Sequence, residues 1–213
     1  MQSEAVASST RRRKVPRAER RQQLIDATIS CIAKRGFSGT TLADVARTAG
    51  LSQGSVNLHF NTKATLLHET LQHLRDEYRQ IWTKAIEDAG PDPVAQLSAL
   101  IDVDFSPAVC DRDKLAVWFA FQGEAKSRPT YRKTCEEHDD DYDEALERIV
   151  KQVIRQGGYR GIKARDVAYG FSAMAEGMWL SILVTPNQMS AADGRRICRS
   201  YFAQYFPNQF KRK

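Results

Sequence analysis

The stretch ADVARTAGLSQGSVNLHF, residues 43–60, decides how the first third of the chain folds. It contains two short helical patterns separated by Gly50, which predicts a tight turn between them. Thr41 and Asp44 form a weak capping-box pattern at the start of the first short helix. Ser52 is a favoured N-cap residue and predicts the start of the second. We therefore expect two packed short helices in close succession.

The second short helix has one apolar side and one largely polar side. Val56 and Phe60 predict its attachment to a core, and small residues at Ala46 and Gly54 predict that the two helices cross closely. The outward side then carries Gln53, Ser55, Asn57, Leu58 and His59. A short helix with polar side chains at its N-terminal end, braced by another helix, is typical of a helix-turn-helix that reads DNA. The turn alone is also compatible with an ordinary helical hairpin.

Positive charge is concentrated at the start of the chain. The 213 residues include 32 Lys and Arg against 26 Asp and Glu, a formal net charge of +6. Residues 1–63 hold 11 of the basic residues and four of the acidic ones, so residues 64–213 are nearly neutral at −1. A localised basic segment, which includes TRRRKVPRAERR at 10–21, favours a polyanionic partner such as double-stranded DNA. The alternative, on charge alone, is a solvated basic tail.

Composition restricts the class of protein. Hydrophobic residues make up 42% of the chain and charged residues 27%, as in soluble globular proteins. We find no apolar run near the roughly 18–20 residues of a membrane span and no secretory signal. The four cysteines are scattered without a C-x-x-C pair, which favours reduced thiols. We therefore expect a cytoplasmic protein with no membrane partner.

Motifs for catalysis and metal binding are absent from the sequence. It has no H-E-x-x-H, G-x-S-x-G or P-loop pattern, and its four histidines lack metal-ligand spacing. We predict a non-enzyme with no catalytic residue, no metal and no cofactor. An architectural DNA-binding protein without sequence preference is a third class, but its basic charge would extend along the whole chain.

Helical periodicity runs from end to end, so we predict an all-α fold. The N-terminal part is a three-helix helix-turn-helix domain, and the remainder is a helical bundle for ligand binding and dimerisation. The predicted domains are a basic arm at 1–17, the DNA-binding domain at 18–63 and the effector and dimerisation domain at 64–213. Helices are expected at 18–35, from Thr41, from Ser52, from beyond Phe60 to near Gly90, and at 93–105, 112–126, 129–156, 163–184 and 190–206.

The segment GFSGTTLADVARTAGLSQGSVNLHFNTKATLL, residues 36–67, resembles the DNA-binding domain of TetR-family transcriptional regulators. Asn57 stands where that family usually has tyrosine in the recognition helix, which is similar to the BetI branch of choline-responsive repressors. The resemblance implies phosphate contacts by Thr40, Thr41, His59 and Lys63. It also implies that Gln53, Ser55 and Asn57 face the major groove, and amide side chains suit adenine. Arg17 can add a phosphate or minor-groove contact.

Two later segments are similar to the ligand and dimer domain of BetI-like proteins: LAVWFAFQGEA at 115–125 and YGFSAMAEGMWLSIL at 169–183. In the TetR family the last two helices form a four-helix bundle with the partner subunit. The resemblance therefore implies a homodimer whose interface includes Gly170, Ala173, Gly177, Tyr201 and Tyr205. Packing within one chain is the alternative for any single small residue. A dimer is also expected because one helix-turn-helix reads too few base pairs.

Aromatic and acidic residues in the second domain suggest a site for a cation, because aromatic faces attract quaternary ammonium groups. The candidate effector-binding residues are Trp118, Phe121, Glu124, Tyr131, Glu176 and Trp179, with Asp139 as a further acid. The alternative is that these aromatic residues only fill the core. Gln122 and Glu124 depart from the BetI pattern, so a polyamine or an unrelated apolar ligand is an alternative to choline.

Together these features predict a dimeric transcriptional repressor. A small-molecule effector would release it from a palindromic operator, and the long fourth helix would couple the effector site to the DNA-reading helix.

Overall fold

The computed structural model describes residues 16–210, except for the side chains of residues 137–139. The basic arm before Pro16, with its Arg11–Lys14 cluster, and the side chain of Asp139 therefore lie outside the described residues. Over the described range the chain forms nine helices and no strand, which confirms the all-α prediction. They are α1 (Arg17–Gly39), α2 (Leu42–Thr48), α3 (Gln53–His59), α4 (Lys63–Asp88), α5 (Pro93–Asp104), α6 (Arg112–Ala125), α7 (Pro129–Gly157), α8 (Ala164–Val184) and α9 (Ala191–Tyr205).

Local signals place α2 and α3. Thr41 and Asp44 form the expected capping box at the start of α2, and the Ser52 hydroxyl accepts a hydrogen bond from the Ser55 backbone N–H at the start of α3. Gly50 has a φ of 65°, a conformation that glycine adopts without steric cost. These interactions satisfy backbone groups that a helix end leaves unpaired, so the ends of α2 and α3 are set by residues close by in the sequence.

The prediction that Gly54 lets α2 and α3 cross closely is wrong. Gly54 is exposed, and a Cβ placed on it would have only Ser52 Oγ within 4 Å, at 3.8 Å. Ala46 is buried, and Val56 and Phe60 are fully buried as predicted. The contact between the two helices therefore depends on these three side chains, and Gly54 leaves open space on the outside of α3.

Three apolar clusters organise the molecule. The first joins α1, α2, α3 and the start of α4, and includes Leu24 and Val56. The second is the core of the body, formed by α4 to α9 around Phe105, Phe171 and Phe202. Burying such side chains contributes on the order of 1.5–3 kcal/mol each.

The third cluster lies between the DNA-binding domain and the body. Ile32 of α1 and Leu71 of α4 pack there with Phe121 of α6 and Tyr131 of α7. Phe37, near the end of α1, extends the cluster: its ring centroid lies 5.3 Å from that of Phe121 and 5.9 Å from that of Tyr131. The two domains are thus joined by an aromatic contact between α1 and α6 as well as by the continuous α4.

The expectation that no segment approaches the length of a membrane span needs correction at α8. Its 21 residues are long and apolar enough, by length and composition, to cross a membrane. One side of α8 is buried through Phe171, Ala175 and Met178 in the core of the body. A core helix of a soluble protein passes the same test, so a single helix of this kind is weak evidence for a membrane.

Candidate functional site

The residues expected to contact DNA lie on α3 and at the N-terminal ends of α1, α2 and α4. Gln53 and Asn57 are exposed one helical turn apart on α3. Ser55, His59 and Lys63 are half-buried, and Thr41 and Arg17 are exposed. Each therefore presents at least part of its surface to solvent, as a DNA contact requires.

Thr40 differs from the other expected DNA contacts. It is 1% exposed, and its hydroxyl donates to the carbonyl oxygen of Gly36 over 2.9 Å. Its backbone N–H donates to the carbonyl oxygen of Phe37. Both donors of Thr40 are thus used inside the protein, and Thr41 is the exposed member of the threonine pair.

Asp44 connects α2 to α1 beneath this surface. Its carboxylate accepts hydrogen bonds from the Thr41 hydroxyl at 2.6 Å, Arg35 Nη1 at 2.7 Å and Arg47 Nη2 at 2.6 Å. The hydrogen bond from Thr41 lowers the pKa of Asp44, with the two arginines adding to it against the opposing effect of burial. This cluster, which sequence reasoning reduced to a capping box, orients the N-terminal end of α2.

A second candidate site is a cavity of about 180 Å³ in the body. Three of the six predicted effector residues line it: Trp118 of α6, and Glu176 and Trp179 of α8. The structure places the other three elsewhere. Phe121 and Tyr131 belong to the cluster between the domains, and Glu124 forms an ion pair with Arg128 over 2.9 Å.

Asp104, at the end of α5, organises the cavity wall. It is 1% exposed, and its carboxylate accepts hydrogen bonds of 2.7 Å from the hydroxyls of both Tyr78 and Tyr142. Trp179 Nε1 donates to the backbone carbonyl oxygen of Asp104 over 2.7 Å. Burial raises the pKa of Asp104 to about 7, although the two tyrosine hydrogen bonds oppose it. Asp104 thus holds aromatic residues of three helices in place: its carboxylate binds Tyr78 of α4 and Tyr142 of α7, and its backbone carbonyl binds Trp179 of α8.

Two further carboxylates reach the same cavity. Glu176 accepts a hydrogen bond from Gln122, and Asp143 accepts one of 2.6 Å from the Ser172 hydroxyl. Burial raises the pKa of Asp143, and the nearby charges of Asp140 and Glu176 raise it further against the Ser172 hydrogen bond. Within the described residues, the three cavity carboxylates form no ion pair with a basic side chain. The cavity therefore offers carboxylates that no basic side chain in the described part of the chain neutralises.

Sequence reasoning missed Tyr78, Asp104, Tyr142 and Asp143 as site residues. The one signal for Asp104 was an acid at the end of the apolar helix PVAQLSALIDVD. Burial of such an acid without a basic partner is costly, which makes it a candidate for function.

Comparison with known proteins identifies the family. Residues 24–70 match bacterial regulatory proteins of the tetR family, and residues 93–207 match the C-terminal domain of BetI-type transcriptional repressors. The HTH-type transcriptional regulator BetI of Stenotrophomonas maltophilia is 30% identical over 184 residues, which cover 85% of this chain and 90% of that protein. The chain belongs to the BetI-type branch of the TetR family of transcriptional regulators.

Solved structures share the fold of this BetI-type regulator. A transcriptional regulator from Pseudomonas aeruginosa PAO1 has a TM-score of 0.81 at 25% identity, and the match covers 97% of this chain and 99% of that one. A regulator from Saccharomonospora viridis, solved in complex with choline, has a TM-score of 0.76 at 21% identity over 88% of this chain and 97% of that one. TetR-family regulators are not enzymes, so the prediction of a non-enzymatic regulator is confirmed.

The residues expected at the dimer interface of this BetI-type regulator fall into two groups. Gly177 is exposed with no atom within 4 Å of a Cβ built on it, and Ala173 is also exposed. Gly170 instead lies against Tyr201 of the same chain, whose hydroxyl would be 2.5 Å from an added Cβ. The exposed face of α8 also carries Tyr169, Leu180 and Val184, with Tyr205 exposed on α9.

Proposed function

We propose that this BetI-type regulator is a cytoplasmic, dimeric repressor that a small organic cation releases from a palindromic operator. A quaternary ammonium compound such as choline is the first candidate for the cation. The observation that carries the proposal is the buried carboxylate of Asp104 among Tyr78, Trp118, Tyr142 and Trp179. Aromatic faces attract cations by about 2 kcal/mol or more when both are desolvated, and a carboxylate adds direct charge attraction.

The chemistry of the cavity favours a cation over a neutral or anionic effector. Three carboxylates line it without a basic partner among the described residues, so an anion would meet repulsion there. A bound cation restores charge balance and compensates the cost of burying Asp104. The choline complex of the Saccharomonospora viridis regulator supports a quaternary ammonium compound, since that protein shares the fold.

A polyamine is the second candidate effector. Glu176 and Asp143 stand beside Asp104 on the cavity surface, so more than one positive charge can be matched there. A monovalent cation such as choline needs only one of these acids. The number of charges on the ligand that binds most tightly therefore separates the two candidates.

The DNA-binding role is proposed for α3 and its neighbours. We assign base contacts in the major groove to Gln53, Ser55 and Asn57, whose short polar side chains suit hydrogen bonding to base edges. Phosphate contacts are assigned to Thr41, His59 and Lys63, with Arg17 at the start of α1. Thr40 supports this surface from inside through its hydrogen bond to Gly36.

Helices α4 and α6 connect the two sites. Trp118 lines the cavity while Phe121, one turn later on α6, contacts Phe37 at the end of α1. Tyr78 lines the cavity on α4, whose first residue, Lys63, lies at the proposed DNA surface. A ligand that moves Tyr78 or Trp118 can therefore shift the DNA-binding domain, provided it binds one arrangement more tightly than the other.

A competition experiment tests the proposal. Choline, betaine aldehyde and spermidine are each titrated into the regulator bound to a fluorescently labelled operator, while intrinsic tryptophan fluorescence is recorded. We expect one of these cations to release the operator over the same concentration range in which the tryptophan fluorescence, to which Trp118 and Trp179 contribute, changes. Release by none of them, or by a neutral or anionic compound instead, contradicts the cationic effector and leaves the family assignment intact.

A further inference from the structure

Leu58 is an exposed leucine on the proposed DNA-reading helix. Its exposed fraction is 73%, which exceeds the exposed fractions of the apolar side chains exposed on α8: 45% for Leu180, 65% for Val184 and 68% for Tyr169. Within the described part of the DNA-binding domain it is the one large apolar side chain that is exposed. Leaving a leucine in water forgoes the roughly 1.5–3 kcal/mol that its burial contributes.

The fold of α3 holds Leu58 on the outside. Val56 and Phe60 are both fully buried in the first apolar cluster and fix the rotation of the helix. A helix turns by about 100° per residue, so a side chain two positions from each of them points away from the core. Leu58 therefore cannot turn inward without exposing Val56 and Phe60, and only a partner can cover it.

Gly54 lies one turn before Leu58 on the same edge of α3. It has no side chain, and only Ser52 Oγ would lie within 4 Å of an added Cβ. The space beside Gly54 is therefore largely open, and another molecule can approach the backbone closely beside Leu58. The neighbouring Asn57 is exposed on the surface proposed to face the major groove.

We propose that Leu58 is a specificity residue that packs on the C5-methyl group of a thymine in each operator half-site. The thymine methyl is the apolar group that base edges present in the major groove, whereas phosphates and the other edge groups are polar. The inference rests on the proposed reading of DNA by α3. It adds a recognition element of apolar contact to the hydrogen bonds assigned to Gln53, Ser55 and Asn57.

Deoxyuridine differs from thymidine only by the missing methyl group, so it isolates this contact. An operator selected from random DNA by the dimer is prepared with each thymine replaced in turn by deoxyuridine. We expect the unaltered protein to lose affinity at one thymine of each half-site, by roughly fourfold per methyl group uncovered. Leu58→Ala should bind the unmodified operator more weakly and show no further loss at that thymine.

Control measurements separate the proposed role of Leu58 from the wider proposal that α3 reads DNA. Leu58→Ala changes an exposed residue, so its thermal unfolding and its binding to random DNA should match those of the unaltered protein. An unaltered protein insensitive to every deoxyuridine, or a Leu58→Ala variant with the same deoxyuridine profile, overturns the role of Leu58. If Asn57→Ala also leaves operator preference unchanged, the reading of DNA by α3 fails as well.

Discussion

At the scale of single residues, burial of the Asp104 carboxylate lowers the stability of the free protein above neutral pH, and the proposed cation would offset this loss. Burial raises the pKa of Asp104 to about 7, so the folded state binds this proton more tightly than the unfolded state does. The free energy of unfolding therefore falls as pH rises from the unfolded pKa of about 4 towards 7. A cation next to the carboxylate would offset this loss of stability, so ionised Asp104 would stabilise the complex although it destabilises the free protein.

The first prediction follows from this linkage. Affinity for a cationic effector should rise as pH increases from about 6 to about 8, by at most roughly tenfold per unit below the pKa. Asp104→Asn should weaken effector binding, remove most of this pH dependence and raise the free energy of unfolding at the higher pH by a few kcal/mol at most. Calorimetric titration and chemical unfolding at several pH values measure both effects.

A matched control lies on the same helix. Asp102 is exposed and pairs with Arg199 through both carboxylate oxygens at 2.8 Å. Asp102→Asn should leave effector affinity and its pH dependence unchanged. If the two asparagine variants behave alike, Asp104 is not the counter-charge of the effector.

The second prediction concerns DNA recognition by individual side chains. Asn57→Ala should lose discrimination between operator and altered operator by about 1–3 kcal/mol, the value of one bidentate base contact. Lys63→Ala should instead weaken binding to all sequences alike and reduce the salt slope by about one unit, as for a lost phosphate contact. Equal losses on operator and random DNA for Asn57→Ala would exclude it as a base-reading residue.

At the scale of elements, the DNA-binding domain is connected to the body in two ways. One connection is the continuous α4, and the other is the contact between α1 and α6. Phe37 packs edge-on against Phe121 and Tyr131, and Arg128 lies over the rings of Phe37 and Tyr131 at 5.5 and 5.6 Å. Such ring pairs contribute about 0.5–1.5 kcal/mol beyond their buried area. Because these side chains pack directly against one another, a shift of α6 can reach the end of α1 through this cluster.

The third prediction tests this connection with Phe37→Leu. The substitution keeps an apolar side chain but removes the ring contacts, and Phe37 is only partly buried, so the fold should persist. Effector and operator should each bind nearly as before when alone, while the factor by which one weakens the other decreases. Reciprocity requires the same decrease when measured in either direction. An unchanged coupling factor would assign transmission to α4 alone.

At the scale of the whole molecule, the exposed face of α8 is the proposed subunit interface. It presents Ala173, Gly177, Leu180 and Val184 along one side, with Tyr205 of α9 also exposed. Small residues allow helices to approach closely, and the apolar ones gain free energy when covered. Two copies of α3 in one dimer can then read two half-sites of a palindrome.

The fourth prediction compares two exposed helical glycines. A Cβ at Gly177 or at Gly123 of α6 meets no atom within 4 Å, so tryptophan at either position should be tolerated within the subunit. Gly177→Trp should produce monomers that keep their helical spectrum and lose operator binding, whereas Gly123→Trp should remain dimeric. Sedimentation and circular dichroism measure both. A dimeric Gly177→Trp variant with normal operator binding would place the interface elsewhere.

The sequence by itself determined the helices and the helix-turn-helix. The caps at Thr41 and Ser52 and the turn at Gly50 appear in the structure as expected, because each satisfies backbone groups within a few residues. Helix boundaries after Gly90 also agree with the expected ranges to within a residue or so, since proline, glycine and apolar period are local signals. The buried positions of Val56 and Phe60 follow from the same periodicity.

Only the tertiary structure decided which residues line the proposed effector cavity and which aromatic residues pack elsewhere. Tyr78, Asp104 and Tyr142 are separated by 26 and 38 residues, yet their side chains meet within hydrogen-bonding distance. Trp118 and Phe121 are three residues apart on α6, yet one lines the cavity and the other joins the two domains. Sequence periodicity identifies which face of a helix is apolar, but not which neighbour covers it. The neighbour that covers each face is decided by how α4 to α8 pack against one another. Local sequence patterns do not contain this information, because the helices in contact come from distant parts of the chain.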